Sequence, residues 1–188
     1  MSDTDVIFWR RTDISGLERL ALARDVDGIA VSSSLVCLEA GGFRLDHHWQ
    51  LDPNWRAQRV SVERWNGDGH KTLDLERAGS GWKVDGIVRL DLEGVEEPDL
   101  SVTPFCNTLP IRRLSSDPAS TLTLDVAFID GPTLTVARSR QRYGRVGPGE
   151  VHYTDLGLSQ GFEADLSVDE EGLVLTYQHL FERVFQGD

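Results

Sequence analysis

The strongest constraint on how this chain can fold is its punctuation. Turn-forming clusters recur at Asp25–Gly28, Gly41–Gly42, Asp52–Asn54, Asn66–Gly69 and Gly79–Gly81. They return at Asp130–Pro132, Gly147–Gly149 and Asp169–Gly172. Neighbouring clusters stand mostly about a dozen residues apart, the spacing of strands joined by tight hairpins. The segments between them alternate. Leu122, Leu124, Val126 and Phe128 share one parity against Thr121, Thr123, Asp125 and Ala127. Phe162, Ala164, Leu166 and Val168 oppose Glu163, Asp165, Ser167 and Asp169 in the same way, and Val84, Val88, Leu90 and Leu92 oppose Asp85, Arg89 and Asp91. A period of two with one polar face predicts an antiparallel sheet covered on one side, a mainly β meander. The stretch Ser15–Arg24 has a helix-like composition, but Leu20/Leu22 and Leu17/Arg19 also alternate, and it reads as a strand.

One segment breaks the pattern. In Thr103–Leu114, Thr103 and Pro104 resemble an N-cap followed by the first helical position. Phe105, Leu109, Ile111 and Leu114 would form its apolar side. Pro110 removes a hydrogen bond inside a helix at a cost of about 3 kcal/mol, which predicts a kink or two short turns. A single helix in a long meander is expected to plug the concave face of a curled sheet.

At 188 residues the chain suits one domain spanning 1–188, with a sizeable core. Its 19 Lys+Arg against 31 Asp+Glu give a net charge of −12, which repels phosphate backbones and anionic lipid. Nucleic-acid partners and stable membrane insertion are therefore not expected, and no apolar run approaches the ~20 residues of a membrane span. The start lacks an apolar segment behind a basic head, and Cys37 and Cys106 have no tight spacing. Both point to a cytoplasmic protein with reduced thiols.

Catalytic and metal motifs are weak. Gly157–Gly161 matches G-x-S-x-G, with Asp165 or Asp169 and then His179 following, but no strand–turn–helix context surrounds it, and it reads as a loop. His47 and His48 are adjacent and point to opposite faces of a strand, while His70, His152 and His179 stand alone. No metal or cofactor is expected. The polar groups beside the predicted helix are more informative: Trp82, Asp85, Asp99, Asn107, Arg112 and Arg113. If the helix is buried, so are some of these charges, and they must be paired. They could form an Arg–Asp lock between helix and sheet, or a polar pocket with an aromatic floor, and one does not exclude the other.

The run Thr103-Pro104-Phe105-Cys106-Asn107-Thr108-Leu109-Pro110-Ile111-Arg112-Arg113-Leu114, with Asp99 before it, resembles the signature of the bacterial putative glycolipid-binding family. Glu18, Trp55 with Arg59, Trp82 with Asp85-Gly86, Gln141 with Tyr143, and Asp169 through Val174 match in order, so the resemblance covers nearly the whole chain. Cys106 departs from it, a Thr being usual there. The resemblance implies a large antiparallel sheet around one central α-helix, a homodimer, remote similarity to lipoprotein-carrier half-barrels and an acidic pocket. The reading it leads to is a non-enzymatic binder of a glycolipid or related sugar-containing amphiphile, with a role in glycolipid metabolism. The expected pocket residues are Glu18, Arg59, Trp82, Asp85, Asp99, Asn107, Arg112, Arg113 and Tyr143, and Asp85→Asn is expected to weaken ligand binding. The alternatives are a carboxylate-dependent enzyme acting on a glycoside and a dimeric interaction protein whose core its own helix fills.

Overall fold

The computed structural model describes residues 3–187. Its first eight strands are β1 (Asp3–Arg11), β2 (Gly16–Arg24), β3 (Ile29–Cys37), β4 (Phe43–Leu51), β5 (Ala57–Asn66), β6 (Gly69–Ala78), β7 (Gly81–Val84) and β8 (Ile87–Arg89). After β9 (Glu97–Leu100) comes the helix α1 (Phe105–Ile111). Then follow β10 (Thr121–Ile129), β11 (Val136–Gly147), β12 (Glu150–Asp155), β13 (Glu163–Val168), β14 (Val174–Tyr177) and β15 (Phe181–Gly187). All fifteen strands form one sheet, in the order β8-β7-β6-β5-β4-β3-β2-β1-β15-β14-β13-β12-β11-β10-β9. The chain therefore lays down two meanders, β1 to β8 and β9 to β15. The β1–β15 ladder joins them in the middle, with Val6 opposite Gly187 and Arg10 opposite Glu182.

Alternation places the core. In β4, Phe43, Leu45, His47, Trp49 and Leu51 are buried and the residues between them are not. Every ladder is antiparallel except β9–β10, where Glu97 faces Val126 and Leu100 faces Ile129 in parallel. Parallel neighbours cannot be joined by a hairpin and need a crossover of about a dozen residues or more. Residues 101–120 provide it and carry α1, whose seven residues are all buried, against β9 and β14. The sheet-and-plug architecture is thus required by its one parallel pair.

Three local expectations are corrected. The helix begins one residue later than the capping pattern suggests, with Pro104 in the cap position, although the Thr103 hydroxyl still accepts the Phe105 N–H at 3.2 Å. No kink forms at Pro110. Because the helix ends one residue further on, the missing bond falls in its last turn, and tight turns follow (Arg113 N–H to the Pro110 carbonyl, Leu114 N–H to that of Ile111, both 3.1 Å). Residues 84–92 are not one alternating strand. Asp85 (φ +50°) and Gly86 (φ +79°) form a two-residue hairpin turn with both φ values positive, the backbone that Asp-Gly favours. Val88 and Leu90 consequently face outward, 56% and 82% exposed.

The sheet does not close, but its ends meet through side chains. The Glu97 carboxylate, 1% exposed, lies 2.7 Å from the Arg56 guanidinium and accepts the Ala57 N–H at 3.0 Å. Arg77 donates to the Ala57 carbonyl of β5 and to the Glu96 carbonyl beside β9, both at 2.7 Å. The Gly94 N–H bonds to the Ser80 carbonyl and the Trp82 indole N–H to that of Val95. Burial raises the Glu97 carboxyl above its usual range, while the Ala57 N–H and the charges of Arg77, Arg56 and Arg113 oppose it. Among the described residues no helix is long and apolar enough to cross a membrane.

Candidate functional site

In a curled sheet, a polar residue on the inward parity must find a partner or face a cavity. Two groups of such residues flank α1. The first surrounds a cavity of about 230 Å³ bounded by the end of β9, the helix, β12 and the β14–β15 corner. Tyr153, Phe162, Tyr177 and Phe181 form its aromatic side, with Tyr153 in edge contact with Tyr177 (centroids 6.0 Å apart) and Phe162 at 6.1 Å. Asp99 and Asp155 form its acidic side.

The two acids are held differently. The Asp155 Oδ1 accepts the backbone N–H of Gly157 (2.8 Å) and Ser159 (3.0 Å), and Oδ2 accepts the Tyr153 hydroxyl at 3.3 Å. This Asx-type turn also explains Gly157–Gly161. The segment is the β12–β13 loop, and Ser159 is tied by its backbone to an aspartate instead of standing on a strained elbow. Asp99 accepts a single side-chain donor, the Gln141 amide, at 2.5 Å. The Gln141 oxygen in turn faces the Tyr143 hydroxyl (3.0 Å), which lies 2.9 Å from the Asn107 oxygen on α1. Burial pushes the Asp99 carboxyl up to about 6, assisted by the Asp155 charge and opposed by the Gln141 hydrogen bond. Burial, then the Asp99 charge, raises the Tyr143, Tyr153 and Tyr177 hydroxyls well above their ordinary range. The cavity thus presents two carboxyl groups, that of Asp99 raised by burial, and phenol groups that keep their protons.

The second group lies at the start of α1. The Glu18 Oε1 on β2 accepts hydrogen bonds from Ser33 (2.6 Å), Thr103 (3.0 Å) and the His47 Nε2 (2.9 Å). The Trp49 indole N–H donates to the His47 Nδ1 at 2.9 Å, which fixes the Nε2–H tautomer. Thr103 also lines the 230 Å³ cavity, so Glu18 stands one hydrogen bond behind it. Glu18 borders a gap of about 10 Å³, and its Oε2 is buried without a partner among the described residues.

Of the residues the sequence singles out, the structure gathers Asp99 and Asn107 at the cavity, with Tyr143 behind Asn107 and Glu18 behind Thr103. The others lie apart. Arg59 is exposed and paired with Asp74 at 2.8 Å. Trp82 is buried at the β7 seam, under the Arg77 guanidinium at 4.5 Å. Asp85 caps the hairpin turn, accepting the Asp74 N–H at 2.9 Å. Arg112 lies 4.1 Å over the Trp55 ring and donates to the Glu171 carbonyl, while Arg113 pairs with Glu96 at 2.5 Å. The lock between helix and sheet is therefore Arg113–Glu96 together with Glu18–Thr103, and Asp99 takes no part in it. Sequence reading misses Asp155, Tyr153, Phe162 and Tyr177. A signal for Asp155 exists, since it shares the inward parity of Val151 and Tyr153.

Fold and site define a class: mainly β proteins in which one open sheet wraps a short buried helix and leaves an acidic, aromatic-walled cavity beside it. The chain belongs to the putative glycolipid-binding family, whose model matches residues 6–183. It is similar to the crystal structure of a DUF1089 family protein from Pseudomonas aeruginosa, with 30% identity over 89% of this chain and 92% of that one and a TM-score of 0.78. No curated protein matches it.

Proposed function

We propose that the protein binds a sugar-bearing amphiphile, with the sugar in the cavity between Asp99, Asp155 and the tyrosine cluster. The observation that carries this reading is the meeting of two carboxyl groups with an aromatic wall in one cavity. Carboxylates accept hydrogen bonds from hydroxyls, and such charge-assisted bonds are roughly twice as strong as neutral ones. The rings of Tyr153, Phe162 and Tyr177 offer flat apolar surface to the C–H face of a pyranose. At about 230 Å³ the cavity is smaller than the about 300–1,000 Å³ typical of drug-sized ligands, which suits a single ring. The family's description supports the same class of ligand.

Native mass spectrometry of gently purified protein, before and after exposure to a bacterial lipid extract, tests this. A co-purified or acquired glycolipid mass, absent from Asp99→Leu, is expected. No adduct under either condition would refute the reading. A second reading, hydrolysis of a glycosidic bond, is favoured by the meeting of two acids in one cavity, of which Asp99, raised by burial to about 6, would protonate the leaving oxygen. Turnover of a chromogenic glycoside by the wild type, lost in Asp99→Asn, would select it.

A further inference from the structure

The sugar cavity accounts for only half of an amphiphile. Antiparallel connectivity brings the β1–β2, β3–β4, β12–β13 and β14–β15 connections to the same end of the sheet. A groove of about 780 Å³ opens there, between residues 10–17 of the β1–β2 hairpin and residues 36–43 around the β3–β4 turn. Its size lies within the range of ligand pockets, and its walls include Ile14, Leu17, Val36, Leu38 and Phe43. Leu17, Val36 and Leu38 are 45%, 57% and 64% exposed, so three large apolar side chains face water side by side. Contiguous exposure of this kind marks a binding surface more often than scattered single residues do.

Groove and sugar cavity are neighbours. The gap beside Glu18 shares Arg11, Leu17, Val36 and Cys37 with the groove and Phe181 with the cavity. Arg11 lies 5.6 Å over the Phe181 ring, and the Thr12 N–H of the groove bonds to the Leu180 carbonyl at the cavity rim (2.9 Å). The Arg11–Phe181 contact and this backbone bond form the layer between them, and the gap beside it is bordered by Glu18, whose Oε2 is a buried acceptor without a donor among the described residues.

We propose that the groove holds the acyl or alkyl tail of the molecule whose sugar occupies the acidic cavity, with the sugar–tail junction at the Arg11–Phe181 layer. This rests on the sugar reading above and extends it. The ligand class becomes a single-ring glycolipid whose tail lies along the β1–β2 and β3–β4 hairpins, and not a free sugar.

Calorimetric titration with n-alkyl glucosides and galactosides from methyl to octyl, below micelle formation, tests the two parts separately. In the wild type the affinity is expected to rise with chain length, by up to about fourfold per methylene buried. In Val36→Ser/Leu38→Ser, both positions being exposed and tolerant of polar residues, the short glycosides should bind as before while the chain-length dependence flattens. In Phe162→Ala every member should weaken by a similar factor with the dependence retained. Binding of short glycosides with no chain-length dependence in the wild type would overturn the groove and leave the sugar site standing. Binding of long members alone, insensitive to Phe162→Ala, would overturn the sugar site. Binding of none would overturn both. Sedimentation of the double variant covers the remaining occupant. A shift to a smaller species with unchanged chain-length dependence would assign the groove to a second copy of the chain, and the proposal would fall.

Discussion

Asp99 is expected to make the fold less stable at neutral pH, by an amount that follows from its burial. Its carboxyl is raised from 3.8 to about 6, so between those values the folded protein holds a proton that the unfolded chain has released. Stability must then fall as pH rises through this window, level off above about 6, and be free of the effect below about 4. Two units at about 1.36 kcal/mol each set a ceiling of about 3 kcal/mol, and the side chain's opening toward the cavity lowers the expectation to about 1–3 kcal/mol. Asp99→Asn removes the charge but keeps an oxygen to accept the Gln141 amide. It should therefore stabilise the protein at pH 8 by about 1–3 kcal/mol, or about 3–10 °C in Tm for a chain of this length. At pH 4 the gain should shrink below about 1 kcal/mol. Urea denaturation and thermal melting at the two pH values measure it. Equal gains at both, or a variant less stable than wild type at pH 8, would refute the reasoning.

Three further outcomes follow from the polar clusters. Glu18→Ala leaves the Ser33, Thr103 and His47 donors without their acceptor, and at about 1–3 kcal/mol for each unsatisfied group it should lower the urea stability by about 3 kcal/mol or more. Glu97→Ala strips the partner from Arg56 and Arg77 and should cost about 3–5 kcal/mol. Hydrogen exchange should then accelerate at the Ala57 amide and along β9 while β3 stays protected, and unchanged protection at β9 would contradict the seam described here. Asp85→Asn keeps an acceptor for the Asp74 N–H in an exposed turn, so its Tm should move by less than the equivalent of about 1 kcal/mol. Glycolipid binding by native mass spectrometry should be unchanged, contrary to the expectation from sequence.

Much of the fold is legible because strand parity is a short-range property. Turn clusters and alternation locate β2, β10 and β13, and two prolines with apolar spacing locate α1. The same rule supports Glu18, which shares its parity with Leu20 and Leu22, and could have found more of the site, since His47 shares its parity with Leu45 and Trp49 and Asp155 with Val151 and Tyr153, and all three are buried. What local pattern cannot supply is which inward positions meet across the curl. Asp85 and Arg59 look as promising as Asp99 in one dimension, yet they lie toward the far strands, while Tyr177 meets Tyr153 at the cavity because β14 lies two strands from β12. Hairpin register is also fragile. Reading Asp85-Gly86 as part of a strand, and not as its turn, reverses the faces of Val88 and Leu90.

The β1–β15 ladder in the middle of the sheet makes the fold a natural circle with its opening in an unusual place. The end of β15 lies alongside the start of β1, whereas the two true edges, β8 and β9, are only seven residues apart in sequence, at 90–96. A permuted chain, linked from β15 to β1 and opened within 90–96, would run through the sheet from one edge to the other in spatial order. Each antiparallel ladder would join consecutive strands, and the pairing most remote in sequence would become a local hairpin. Because folding rates fall as contacts become less local, the permutant should reach the same sheet faster than the natural connectivity does.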